Sequence, residues 1–198
     1  MNLTELLKGR VRGDVLTDAD TLSTYSRDTS VFVRKPEVVV FPKDTEDVST
    51  LVQAVAEAKR DGLPASIAAR SAGTDMSGGP LTDSVSAVFT KYMNKILEVG
   101  DGYAVAEPGV YYRDFEKQTL AHGEQILPSY PASRELAALG GMVNNNAGGE
   151  RTLEYGKTED YVEELEVVLS DGTVTTFKAL DADELAEKKK LETLEGRI

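Results

Sequence analysis

The residues best suited to chemistry lie in two glycine-rich stretches. The first reads Arg70-Ser71-Ala72-Gly73-Thr74-Asp75-Met76-Ser77-Gly78-Gly79. Small residues directly after a strand let the backbone bend tightly, so that successive N–H groups can converge on one anion as a nest for phosphate. Thr74 and Ser77 could add hydroxyl donors, and Arg70 a positive charge. The same composition also builds an ordinary surface turn. Neither G-x-G-x-x-G nor G-x-x-x-x-G-K-[ST] occurs here, so a phosphate site would have to be of another kind than the two common nucleotide loops.

The second stretch reads Leu139-Gly140-Gly141-Met142-Val143-Asn144-Asn145-Asn146-Ala147-Gly148-Gly149. Paired glycines at both ends permit close approach of the backbone to a flat or extended ligand, and the adjacent carboxamides can donate and accept at its polar edge. An Asn-rich turn, using asparagine's tolerance of left-handed backbone, is the plain alternative. Other chemistries are closed. With 198 residues, no cysteine and one histidine, the chain has no disulfide, no thiolate metal site and no histidine-rich metal site, and no metal is expected. His122 stands beside Gly123 at an expected helix end, where a capping or surface role suits it better than ligation or catalysis. The 34 acidic against 22 basic side chains, net -12, argue against nucleic acid as a partner.

The elements that must hold these loops can be read along the chain. Residues 2–9 read as a short helix closed by Gly9 and residues 17–26 as a second, so that 1–30 form a helical lead-in. Glu37-Val38-Val39-Val40-Phe41 has the makeup of a buried strand ended by Pro42. A helix follows, capped by Asp44 or Thr45, with Glu46 and Asp47 in its positive first turn, Val48, Leu51, Val52 and Val55 at helical spacing, and Lys59 and Arg60 before Gly62. A strand over 65–69 then runs into the first glycine loop, giving a β-α-β unit with a loop at a strand's carboxyl end, where ligands of such sheets sit.

Short strands are expected over 85–89, 96–99 and 103–107, the last two joined at Gly100-Asp101-Gly102. A helix over 112–122 should close at Gly123. Residues 127–149 show no clear period, and so long an irregular segment points to a functional loop wrapped around something. Residues 164–169 and 174–177 form a half-exposed hairpin through Ser170-Asp171-Gly172-Thr173, and 181–198 read as one charged helical segment without a stop signal, as though cut. No run is apolar enough for a membrane span, and a cytoplasmic protein is expected.

Several motifs recur in a fixed order: Pro64, A-R-S-A-G-T-D-M-S-G-G (69–79), E-P-G-V (107–110), P-A-S-R-E-L-A-A-L-G-G-M-V-N-N-N-A-G-G (131–149), L-E-Y-G-K-T (153–158) and E-V-V-L-S-D-G (166–172). This order resembles the FAD-binding domain of the vanillyl-alcohol oxidase and p-cresol methylhydroxylase (PCMH-type) superfamily, and within it the glycolate oxidase flavin subunit and D-lactate dehydrogenase branch. The resemblance covers residues 24–180. It implies an α+β fold of two α/β subdomains, about 31–92 and 93–180 within a domain of 31–180, with FAD extended between them. It further implies that Arg70, Ser71, Ala72, Gly73, Thr74 and Asp75 form the pyrophosphate loop. Pro131 and Ser133, with Gly140, Gly141, Asn146 and Gly149, would line the other wall, and Val162, in the strand that follows, would lie near the adenine.

Departures from the family pattern carry expectations of their own. Ser71 and Asp75 stand where relatives often have glycine, so the Asp75 carboxylate should point away from a diphosphate or accept backbone N–H groups. Tyr130 stands where an aspartate commonly precedes the Pro131 match. Thr74 occupies a position where some members carry a histidine bonded to the flavin, so the FAD should be non-covalent. Tyr111, Tyr112, Tyr155 and Tyr161 could face a flavin or adenine ring, although core or rim packing is the commoner fate of tyrosine.

By the same resemblance, a further domain should follow and supply the substrate-binding and acid/base groups, so no catalytic residue is assigned. Residues 181–198 would lead to that domain or to a second subunit. The function implied is the FAD-holding portion of an oxidoreductase that takes hydride from a small 2-hydroxy acid such as D-lactate or glycolate. A non-catalytic flavin-binding or assembly subunit, or a UDP-N-acetylenolpyruvoylglucosamine reductase-like enzyme, are the alternatives.

Overall fold

The computed structural model describes residues 3–198. Met1 and Asn2, where the expected lead-in and first helix begin, lie outside the described residues. A four-stranded sheet carries the first half, in the order β1-β2-β4-β3. β2 (Val38–Phe41) and β4 (Val85–Val88) are buried along their whole length, as their β-branched and small side chains require in a sheet covered on both faces. β4 lies between β2 and β3 (Ile67–Arg70) and is parallel to both, with Val38 opposite Val85 and Arg70 opposite Val88. The β-α-β unit therefore crosses over one intervening strand.

The helix of that unit, α3 (Thr45–Arg60), is capped by the Asp44 carboxylate, which accepts from Asp47 N. Leu51, Ala54, Val55 and Ala58 face one core with Val38, Val40, Val85 and Ala87. The amino-terminal residues belong to this core as well. α1 (Leu3–Lys8) buries Leu3, Leu6 and Leu7, and β1 (Asp14–Leu16) pairs antiparallel with β2 as an edge strand. α2 (Ala19–Thr24) lies on the sheet's other face, where Leu22 packs with Val39, Phe41 and Val88.

The second half holds two separate ladders. β5 (Ile96–Val99) pairs with β6 (Ala104–Ala106), and β7 (Glu164–Val168) with β8 (Val174–Lys178). α4 (Tyr112–Gly123) buries Tyr112 and Phe115. Its left-handed end residue is Glu124 (φ 58°), not Gly123, which stays helical. The segment expected to be irregular contains a short helix, α5 (Leu139–Asn144), and α6 (Thr152–Tyr155) and a 3-10 turn (Thr158–Tyr161) follow it. The carboxyl-terminal segment is two helices, α7 (Ala182–Lys188) and α8 (Leu194–Arg197), not one. Each starts at its own polar cap position, Asp181 and Thr193. Among the described residues no helix is long and apolar enough to cross a membrane.

Candidate functional site

Both glycine stretches emerge at one seam. The first leaves the carboxyl end of β3, and a single carbonyl fastens it to the second. Pro108 O accepts from Ser71 Oγ at 3.1 Å and from Gly140 N at 2.8 Å. Residues 108–112 run alongside 137–140, with Leu139 N donating to Val110 O and Tyr112 N to Ala137 O, both at 2.9 Å. Close approach then demands glycine. A Cβ on Gly140 would sit 2.6 Å from Pro108 Cβ, whereas one on Gly141 would meet Ser71 Cβ at an ordinary 3.4 Å.

The backbone of the first loop is open to a ligand. Among the described residues no group accepts from the N–H groups of residues 71–76. Gly73 holds φ at +72°, and a Cβ there would collide with the Arg70 guanidinium. Arg70 is 8% exposed, its Nη2 donates to Arg27 O at 2.7 Å, and its Cζ lies 5.3 Å from the centre of the Tyr25 ring. Its Nη1 is buried and has no partner among the described residues. Burial pushes the Arg70 pKa down, yet an arginine stays charged through the working range, so the loop rests on a fixed cation with one donor to spare.

Asp75 does not oppose an anion in this loop, because its carboxylate is turned onto its own turn. Oδ2 accepts from Gly79 N at 2.7 Å and from Ser77 N at 3.1 Å. The Gly79 bond, aided by Ser77 against some burial, holds its pKa below the usual carboxylate value.

The second stretch forms an open cleft of about 430 Å³ lined by Pro131, Asn145, Asn146, Ala147, Gly148, Gly149, Thr152 and Lys157. Gly149 lies on the Tyr130 carbonyl and Pro131, and its N–H donates to Thr152 Oγ1 at 2.7 Å. Asn146 adopts a left-handed backbone (φ 45°), and its Oδ1 accepts from Glu159 N at 3.0 Å.

Pro131, Asn146 and Gly149 are thus brought together in the cleft, and Ser71, Gly140 and Gly141 at the seam. Ala72 and Thr74 are half-buried in the loop between Arg70 and Asp75. Ser133 is not among the residues lining the cleft, and its carbonyl accepts from Leu136 N and Ala137 N, both at 2.8 Å. Val162 lies in the link after the 3-10 turn, ahead of β7, and not in the strand as expected. Tyr130 is buried against Tyr112 and Arg134, and Tyr112 fills the core, so neither ring is offered to a ligand. His122 is exposed.

Pro108, Thr152 and Lys157 were missed as site residues. Pro108 stands in a quoted motif, but the work of its carbonyl is invisible in the residue type.

The FAD binding domain family matches residues 36–178. The chain belongs to that family. D-2-hydroxyglutarate dehydrogenase of Escherichia coli (strain K12) is 30% identical over 198 residues, which cover 99% of this chain and 19% of that protein. Glycolate oxidase subunit GlcD of Bacillus subtilis (strain 168) is 34% identical over 154 residues, covering 76% of this chain and 32% of that protein. The chain therefore spans between a fifth and a third of the length of these curated relatives. Among solved structures, a chitooligosaccharide oxidase superposes with a TM-score of 0.75 at 19% identity, over 94% of this chain and 39% of that one. The fold is that of the PCMH-type flavin-binding domain.

The residues present fit FAD. A diphosphate needs several N–H donors and a nearby cation, and the open N–H groups of residues 71–76 and the spare Arg70 Nη1 supply them.

Proposed function

We propose that this chain is the FAD-holding portion of an oxidoreductase that oxidises a small 2-hydroxy acid of the D-lactate, glycolate or D-2-hydroxyglutarate type to the 2-oxo acid. The observation that carries the reading is the seam at Pro108, where a loop of open N–H groups over Arg70 meets the glycine pair of α5. Kinship with D-2-hydroxyglutarate dehydrogenase and a glycolate oxidase subunit supports the substrate class.

Residues 70–75 hold the diphosphate, and Pro131, Asn146 and Gly149 border the flavin side of the cleft. Residues 31–92 and 93–180 act as the two lobes. Bound FAD supplies the acceptor for the hydride removed from the substrate's hydroxyl-bearing carbon. The flavin is held without a covalent bond, because Thr74 offers no ligating nitrogen and no cysteine is present. Groups that bind the substrate and take its hydroxyl proton come from a further domain or subunit, and the protein works in the cytoplasm.

The test is a visible spectrum of the desalted protein after incubation with FAD, followed by anaerobic addition of D-lactate, glycolate or D-2-hydroxyglutarate. A retained flavin band that is released on denaturation is the expected result. Bleaching by any of the acids shows that this chain alone turns over. A retained flavin that no acid bleaches, even with a candidate partner subunit added, favours a non-catalytic flavin carrier. No retained flavin overturns the reading.

A further inference from the structure

Residues 25–34 form a strap across the first loop, and nothing in the flavin reading explains it. The strap is closed by a bridge between Arg27 and Val33 and by Arg34 N donating to Ser26 O at 2.9 Å. Its tip is fixed by Asp28, whose Oδ1 accepts from Ser30 N at 2.9 Å and from Ser30 Oγ. Phe32 covers Gly78, lying 3.1 Å from where a Cβ would be, and Arg34 pairs with Asp83 beyond the loop. From beneath, Arg70 holds the Arg27 carbonyl.

Thr29 touches the loop where it matters. Its Oγ1 lies 2.9 Å from Thr74 O and 2.8 Å from Asp75 O, so one hydroxyl proton is shared between two successive carbonyls. In a trans peptide the C=O of one residue and the N–H of the next point in opposite directions, and no peptide here is cis. Drawing these carbonyls onto the strap therefore turns the N–H groups of Asp75 and Met76 away from it. Both are among the N–H groups from which, among the described residues, no group accepts. We propose that Thr29 is a positioning residue for diphosphate: it never meets the ligand, and it orients two of the loop's anion-binding N–H groups by holding the carbonyls behind them.

The inference rests on the FAD reading and is tested on the chain with Thr29→Val, Thr29→Ala and Thr29→Ser. FAD affinity is measured by flavin fluorescence, ADP by its displacement of FAD, and the apo thermal midpoint by circular dichroism. Because a neutral hydrogen bond is lost, Thr29→Val and Thr29→Ala should weaken FAD and ADP together by about three- to tenfold. Thr29→Ser should bind as the parent does, and all three variants should melt close to the parent, since Thr29 is exposed.

Unchanged FAD affinity in both hydroxyl-lacking variants overturns the proposal, as does a loss of FAD affinity with ADP unaffected or a loss that serine does not rescue. If only one of the two variants folds, that one decides. A parent chain that binds neither FAD nor ADP fails the flavin reading itself, and this role with it.

Discussion

Gly140 and Gly141 are neighbours in sequence with opposite tolerance for a side chain, and the difference reads out the seam. At Gly140 a methyl would press on Pro108 Cβ at 2.6 Å and on Pro108 O at 2.8 Å, and both belong to backbone or a rigid ring. At Gly141 the same methyl meets Ser71 Cβ at 3.4 Å. Gly140→Ala should therefore cost about 1–3 kcal/mol in urea unfolding through overpacking. Gly141→Ala should stay within about 0.5 kcal/mol, because the gain in helix propensity offsets the contact. Equal effects at the two positions would remove the close approach at Pro108 from the account. Gly73 is constrained differently, by a left-handed backbone and by the Arg70 guanidinium beneath it, so that there the loop's shape and its charge depend on one residue.

At the scale of elements, Asp47 joins three of them. It stands in the first turn of α3, and its side chain is 1% exposed. Oδ1 accepts from Arg12 N at 2.9 Å, ahead of β1, and Oδ2 accepts from Lys43 N at 3.0 Å, after β2. Burial raises its pKa, but the N–H groups of Lys43 and Arg12 and the Arg12 guanidinium outweigh burial, so the net shift is downward. A carboxyl with a lowered folded pKa gives its full stabilisation above its unfolded pKa and loses it as pH falls through the folded value. Asp47→Asn should thus lower stability near neutrality by about 1–3 kcal/mol and flatten the fall of the urea midpoint below about pH 4. A variant whose midpoint falls with acid as steeply as the parent's would locate the acid sensitivity elsewhere.

The same scale shows what the sequence made legible. α3 was readable because cap, apolar period, end charges and terminal glycine agree. β1 was not, since three residues at a sheet edge carry no alternation to detect. α5 was hidden by its paired glycines, poor helix formers held there by contact with Pro108. The glycine loops were visible as composition. The carbonyl that joins them and the threonine strap that orients one of them are backbone matters, which residue types do not announce.

For the whole molecule, the sheet half and the ladder half are joined near the site by Ser71 Oγ on Pro108 O at 3.1 Å, and away from it by Ser49 Oγ on Gly172 O and Thr45 Oγ1 on Glu166 Oε1, both at 2.5 Å. A ligand extended across that seam should tie the halves together, because it binds the folded arrangement and has no such site in the unfolded chain. At a free FAD concentration about a hundredfold above Kd, linkage gives about 2.7 kcal/mol. For a chain of 198 residues that corresponds to a rise in thermal midpoint of roughly 5–10 °C. Differential scanning calorimetry should show the rise with FAD, a smaller one with ADP, which reaches only the loop side, and a shift that grows with the logarithm of ligand concentration. Equal shifts with FAD and ADP at the same free concentration would mean that the cleft at Pro131 and Gly149 contributes nothing, and that the cofactor is held by the Arg70 loop alone.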